Sequence, residues 1–166
     1  MTTHPAAREA HDQALAMIRQ GQPRRDILTY LATTAERITG PGHAASILLL
    51  DEDGLLRDGS SPKLPADYLK AIDRLKPRAD LGTCAAAAAT GQFVLTRDFT
   101  ADEKWAELRH LPLSLGYRGA WSTPIKSAAG QVLGTFGIYC VEQADPSPEQ
   151  REAMALLARA AAESLG

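Results

Sequence analysis

Asp80-Leu81-Gly82-Thr83-Cys84-Ala85-Ala86-Ala87-Ala88-Ala89-Thr90-Gly91 is the stretch that most constrains the fold of this chain. Consecutive alanines have high helix propensity and almost no side-chain bulk, so Cys84 to Thr90 predicts a helix able to lie very close to a sheet. Gly91 is placed to cap its C-terminus. With Thr83 as the N-cap, Cys84 falls in the first helical turn. There the helix dipole and free N–H groups favour a thiolate or a bound anion. Cys84 is therefore a candidate reactive thiol or ligand contact. The competing reading is a small buried residue packed under the alanine helix.

Downstream, Phe93-Val94-Leu95 reads as a short strand. Thr100 and Glu103 have the spacing of a capping box, which puts Trp105 and Leu108 on a short helix. A long hairpin follows, with strands Tyr117 to Ile125 and Gln131 to Cys140 around a turn containing Ser127-Ala128-Ala129-Gly130. The period of two places Trp121, Thr123 and Ile125 on one face of the first strand. In the second strand, Leu133, Thr135, Gly137 and Tyr139 share one face and Val132, Gly134, Phe136 and Ile138 the other. Ser147, Pro148 and Gln150 mark the start of a last helix, along which Met154, Leu157, Ala161 and Leu165 recur at helical spacing.

Upstream, the chain opens with two helices. Thr3 or His4 precedes Pro5, and Ala10, Ala14, Met17 and Ile18 repeat until Gly21. Pro23 opens the second helix, whose stripe is Ile27, Leu28, Leu31, Ala35 and Ile38, and Gly40-Pro41-Gly42 stops it. The apolar run Ala44 to Leu50 predicts a central strand, and Asp51-Glu52-Asp53-Gly54 a hairpin turn. Leu55 and Leu56 start a shorter strand, and Gly59-Ser60-Ser61-Pro62 reads as a loop. Pro65 to Leu75 reads as a helix with Tyr68, Leu69 and Ile72 inward. The whole is one α+β domain over residues 1–166: an N-terminal helix in 1–22, then a core in 23–166 that includes the C-terminal helix.

Bulk properties narrow the function. The 166 residues carry a net charge of -2, with 45% hydrophobic and 23% charged residues, which is ordinary globular usage. Lys and Arg are scattered, without the basic face that phosphate contacts demand, so a nucleic-acid partner is not expected. No apolar run reaches the roughly 20 residues that span a bilayer, and Met1 to Arg8 lack a signal peptide's apolar middle, so a cytoplasmic location is the default. Two cysteines, Cys84 and Cys140, make no disulfide framework, and His4, His11, His43 and His110 show no ligand-like spacing, so no metal site is expected.

Several segments, in order, resemble the GAF domain family of bacterial sensors. Leu81-Gly82-Thr83-Cys84 followed by alanines is similar to the family's Gly-Ser-Cys-Gly-Thr-Ala segment. Val94 to Asp98, with Trp105 after it, resembles the strand, Asp and Trp that follow there. Gly116 to Ile125 resembles the Gly-Leu-Arg-x-x-Trp-Ser-x-Pro-Ile strand, and Gly130 to Tyr139 its partner. The likeness runs from about Ile27 to Leu165. It implies a GAF-like (PAS-like) six-stranded antiparallel sheet, with the terminal helices packed on one face and a ligand pocket on the other. It also implies signalling through those helices, often in a homodimer. Ala85 stands where the family often has Gly, and Ala120 where related domains often carry Cys.

On this resemblance the candidate ligand-binding residues are Thr83, Cys84, Asp98, Trp105, Trp121, Thr123 and Tyr139. Trp121 and Thr123 would line the pocket, Trp105 would be a lid and Asp98 a polar anchor. The competing readings are core tryptophans and a turn-capping Asp98. The first functional expectation is a sensor that binds a small-molecule or anionic ligand and signals to a sensor kinase or another partner; no cofactor can be named. The second is an enzyme. Free methionine-(R)-sulfoxide reductases are GAF proteins with a catalytic Cys at the place of Cys84, but they need a resolving Cys on the preceding loop. Here that loop is Lys76-Pro77-Arg78-Ala79-Asp80. The third is a dimerising module with an occluded pocket, paired through Met154, Leu157, Ala161 and Leu165. A bilin or haem lacks a suitably placed His.

Overall fold

The computed structural model describes residues 4–166; of the two candidate caps before Pro5, Thr3 lies outside them. Helices α1 (Pro5–Arg19) and α2 (Arg24–Thr39) lead into strands β1 (His43–Leu50) and β2 (Leu56–Ser60). Helix α3 (Ala66–Ile72), helix α4 (Cys84–Thr90) and strand β3 (Val94–Thr96) follow. A 3-10 turn (Glu103–Trp105) and helix α5 (His110–Ser114) precede the hairpin of β4 (Gly119–Lys126) and β5 (Val132–Cys140), and helix α6 (Pro148–Leu165) closes the chain.

The start and stop signals act where the sequence puts them. The His4 ring accepts from the Ala7 N–H ahead of α1. Ser147 and Gln150 form a reciprocal capping box on α6, a device worth about 0.5–2 kcal/mol. Gly91 ends α4 at φ 66°, in the left-handed region that favours glycine. The Thr100–Glu103 box does not form. Asp98 binds both the Thr100 N–H and its hydroxyl, and Asp102 caps the 3-10 turn by accepting from the Lys104 N–H. The side chain closer to the turn won the competition for its N–H groups.

The sheet is antiparallel and has five strands in the order β2-β1-β5-β4-β3, one fewer than the resemblance implied. Gly59 and Ser60 belong to β2 rather than to a loop. The terminal helices α1, α2 and α6 pack on one face as the resemblance implied, and the short helices α3 and α4 lie on the other. On the first face, α1, α2 and α6 pack on Ala45, Ile47, Trp121, Ile125, Phe136 and Ile138. Met154, Leu157 and Ala161 are buried in this same core, so that stripe serves the domain's own sheet rather than a dimer seam. Among the described residues, no helix is long and apolar enough to cross a membrane.

On the second face, Ala44, Leu48, Ala120 and Tyr139 of the sheet meet α3, α4 and the 99–117 segment. Pairing fixes this division. Ser122 lies opposite Gly137, which lies opposite Ser46; Trp121 lies opposite Ile138. Cross-strand partners share a face, so Ser122 and Tyr139 look one way and Trp121 the other.

Candidate functional site

The alanine helix reaches the second face because nothing bulky intervenes. A Cβ on Gly137 would stand 2.8 Å from Cys84 Sγ, closer than real Cβ contacts allow. The bare glycine is thus the seat of the cysteine. The hydroxyls of Ser122 and Thr135 lie against the Cys84 sulfur. Burial pushes the thiol's pKa up, and these two hydroxyls only partly oppose the shift. Of the two readings of Cys84, the buried position and the direction of this shift favour the small packed residue over the reactive thiol. Thr83 does not cap α4 with its side chain. Its hydroxyl instead pairs with the Thr96 hydroxyl at 2.7 Å and accepts from the Trp105 indole N–H at 2.8 Å.

Around Cys84 stand most of the chain's aromatic rings on this face. Tyr68 of α3 donates to the Tyr139 hydroxyl at 2.7 Å, with the rings edge to face at 5.7 Å. Tyr117 and Phe99 flank Tyr139 at 5.6 and 6.3 Å, and Trp105 meets Phe99 at 4.6 Å. Such pairs contribute about 0.5–1.5 kcal/mol each beyond area burial. Burial raises the pKa of both Tyr68 and Tyr139, with the Cys84 group adding to each shift. The side chains thus fill the space that the resemblance assigned to a pocket.

Not every polar group on this face is satisfied. Ser46, Ser61 and Asp58 form a chain of 2.8 Å hydrogen bonds. Thr83, Thr96 and Trp105 form another. Ser122 Oγ and Thr135 Oγ1 are buried with no hydrogen-bond partner besides the Cys84 sulfur, and on the opposite face Thr123 Oγ1 is likewise buried and unpartnered. The Cys84 sulfur is a weak acceptor at best. Leaving a buried hydroxyl unpaired costs about 1–3 kcal/mol.

The seven candidate residues therefore divide. Thr83, Cys84, Trp105 and Tyr139 come together on this face. Asp98 sits at its edge with its oxygens occupied. It accepts from Arg118 at 3.0 Å, from Thr100 and from Gln143. The Arg118 guanidinium first, then Thr100, holds its carboxyl well below the usual range. It is a structural knot between the loops, not an open anchor. Trp121 and Thr123 lie across the sheet. Trp121 packs on Phe93 at 5.9 Å in the first core, and Thr123 lines a groove with Phe93, Pro148 and Arg151. The strand's period of two made them partners of each other, but the hairpin register turned both away from Tyr139.

Cys140 is also on that far face, its thiol pKa pushed up to about 12 by burial. The sheet separates it from Cys84. The sequence reading missed Ser122, Thr135, Phe99 and Tyr117. Ser122 was legible as the cross-strand neighbour of Gly137 once the turn length was known, and Thr135 as the residue two before Gly137 on the same strand face.

An antiparallel sheet with helices on both faces, one of them built around a glycine-seated cysteine and an aromatic cluster, defines a small α+β domain. The family model for the GAF domain matches residues 21–165, and the chain belongs to that family. It is 33% identical over 144 residues to the methyl sulfide methyltransferase-associated sensor of Methanosarcina acetivorans, a match covering 86% of this chain and 14% of that protein. The chain thus spans about one seventh of its relative's length. Two solved structures share the fold. The GAF domain of an Acinetobacter phosphoenolpyruvate-protein phosphotransferase matches with a TM-score of 0.70 at 13% identity, covering 98% of this chain and 94% of that one. Free methionine-R-sulfoxide reductase from Neisseria meningitidis, in complex with its substrate, matches with a TM-score of 0.71 at 17% identity, covering 99% and 92%.

Proposed function

We propose that this chain is a sensor domain that binds a small molecule on the sheet face carrying Cys84 and Tyr139. It acts in the cytosol and transmits occupancy through the sheet to α1 and α6, or to a partner protein such as a sensor kinase. The observation that carries this is the pair of buried, unpartnered hydroxyls of Ser122 and Thr135 beneath an aromatic cluster. Thr123 on the opposite face carries an equally unpartnered hydroxyl, so the pair supports a ligand site only together with the aromatic cluster around Tyr139 on the same face. The similarity to a sensor protein supports the same reading.

The architecture supports the signalling half. Residues of β4 and β5 alternate between the ligand face and the core under α6. A shift at Tyr139 or Ser122 is one peptide away from Ile138 or Trp121, which touch the terminal-helix core. The outer surfaces of α1 and α6 form an open groove lined by Arg8, His11, Asp12, Glu152, Leu156 and Arg159. We assign this surface to a second copy of the chain, a reading that light scattering checks. A reductase reading finds less support. The Cys84 thiol is buried, which raises its pKa, and no second cysteine shares its face.

A thermal-shift screen with nucleotides, amino acids, inorganic anions and metabolite extract tests the proposal. Saturable stabilisation that is lost in the Ser122→Ala/Thr135→Val variant is the expected outcome. No stabilisation by any of them, or stabilisation undiminished in the variant, would overturn it.

A further inference from the structure

The outer layer of the terminal helices carries charges that the chain itself leaves without partners. Helix α1 packs on α2 and α6, and an open groove of about 460 Å³ runs between α1 and α6. Helix α6 lines it with Glu152, Ala155, Leu156 and Arg159, and α1 with Arg8 and Asp12. Steps of three, one and three put the four α6 residues in one row along the helix. Leu156 is half-buried, and Glu152, Ala155 and Arg159 are exposed. Among the described residues, Arg8, Glu152 and Arg159 make no ion pair, and Asp12 meets only the ring of its neighbour His11, at 3.6 Å.

The order of charges along this row is antisymmetric about its centre. The acid lies three residues before the apolar pair Ala155-Leu156, and the base three residues after it. A second α6 laid parallel and in register would set Glu152 on the partner's Glu152 and Arg159 on the partner's Arg159. Laid antiparallel about the midpoint of Ala155 and Leu156, it sets Glu152 on the partner's Arg159 and Arg159 on the partner's Glu152, while Ala155 receives the partner's Leu156. Glu163, the next charge along the row, then falls opposite the partner's Pro148 and meets no like charge. Helix α1 repeats the pattern at the same level of the groove. Arg8 and Asp12, one turn apart, exchange opposite charges in the same antiparallel sense. Like charges set against each other are destabilising, and opposite charges fix register.

Resting on the second-copy assignment above, we infer that two copies of this chain dock α6 against α6 in antiparallel orientation, across a two-fold axis between Ala155 and Leu156. Glu152 and Arg159 form two reciprocal ion pairs, and Arg8 pairs with the partner's Asp12 beside them. The interface is isologous, the same patch on both copies. Exposed ion pairs add little affinity each, so their part is to select the orientation, while Ala155 and Leu156 supply the apolar contact. The C-terminal ends of the two α6 helices then point to opposite ends of the dimer, which separates this arrangement from a parallel bundle of terminal helices.

The test is sedimentation equilibrium of the full chain over a dilution series at low ionic strength, where exposed charges act most strongly. Wild type is compared with Glu152→Arg, Arg159→Glu, the exchange Glu152→Arg/Arg159→Glu, and Ala155→Arg. All three positions are exposed and each introduced side chain suits a helix, so the fold is kept, which circular dichroism checks. Wild type is expected to dimerise. Each single reversal should weaken the dimer about tenfold or more, and the exchange should return it to within about threefold of wild type. Ala155→Arg, at the axis, should leave monomer. A dimer broken by Ala155→Arg but indifferent to the single reversals, or not restored by the exchange, overturns the antiparallel inference and keeps the second copy on this surface. A dimer that Ala155→Arg does not weaken, or a monomer at every concentration, removes the second-copy assignment together with the inference.

Discussion

Replacing Thr135 with Val should stabilise the ligand-free domain and weaken its ligand. Thr135 is completely buried and its Oγ1 has no hydrogen-bond partner. Valine keeps the branched shape that suits a strand and removes only the stranded hydroxyl. The full penalty for burying such a group is about 1–3 kcal/mol. The Cys84 sulfur beside it recovers a little of this, so a gain of about 1 kcal/mol is expected. For a domain of this size that is a rise of roughly 2–4 °C in Tm. If the same hydroxyl holds the ligand, its loss removes about 0.5–1.5 kcal/mol of binding, roughly a two- to tenfold weaker Kd. Calorimetric melts of wild type and variant, with and without a ligand from the thermal screen, read both quantities. A variant destabilised by about 1 kcal/mol or more would refute the reasoning, because the hydroxyl would then be engaged in the folded core.

Three further outcomes follow from the same geometry. Gly137→Ala places a methyl 2.8 Å from Cys84 Sγ, and should cost about 1–3 kcal/mol by overpacking; Cys84→Ala in the same chain should recover most of it in a double-mutant cycle by urea melts. Asp98→Asn should destabilise at neutral pH. Because the folded carboxyl's pKa is lowered by Arg118 and Thr100, its contribution is complete above the ordinary aspartate value of about 3.9 and fades as pH falls below it. The wild-type advantage in urea midpoint should therefore hold from pH ~7 to ~5 and shrink toward pH ~2. Both thiols are buried with raised pKa values, so Ellman's reagent should label neither promptly in the native protein at neutral pH and both in denaturant.

Much of the fold was readable because each signal was local. The alanine run, Gly91, the Ser147 capping box and the apolar stripes of α1, α2 and α6 each depend on neighbours within a turn. What the sequence hid depends on distance. Asp98 is fixed by Arg118 and Gln143, 20 and 45 residues further along the chain, just before β4 and just after β5. Cys84 is a buried packing residue because α4 sinks onto Gly137, a contact 53 residues away in the chain. The two-residue period correctly joined Trp121 to Thr123 and Thr135 to Tyr139. It could not say which pair faces the pocket, since a one-residue change of register exchanges the faces. The likeness to known sensors made Trp121 the attractive choice, and the pairing of Trp121 with Ile138 reverses it. Ser122 and Thr135 were passed over because a small hydroxyl on a strand has no signature until its lack of a partner is seen in three dimensions.

A native mass spectrum of the chain purified gently from expressing cells tests the central claim most directly. The account predicts a small non-covalent mass beyond the bare polypeptide in wild type, lost in Ser122→Ala/Thr135→Val and retained in Thr123→Val on the opposite face. Bare polypeptide alone in every preparation, or an adduct that survives the double variant and disappears with Thr123→Val, would contradict it.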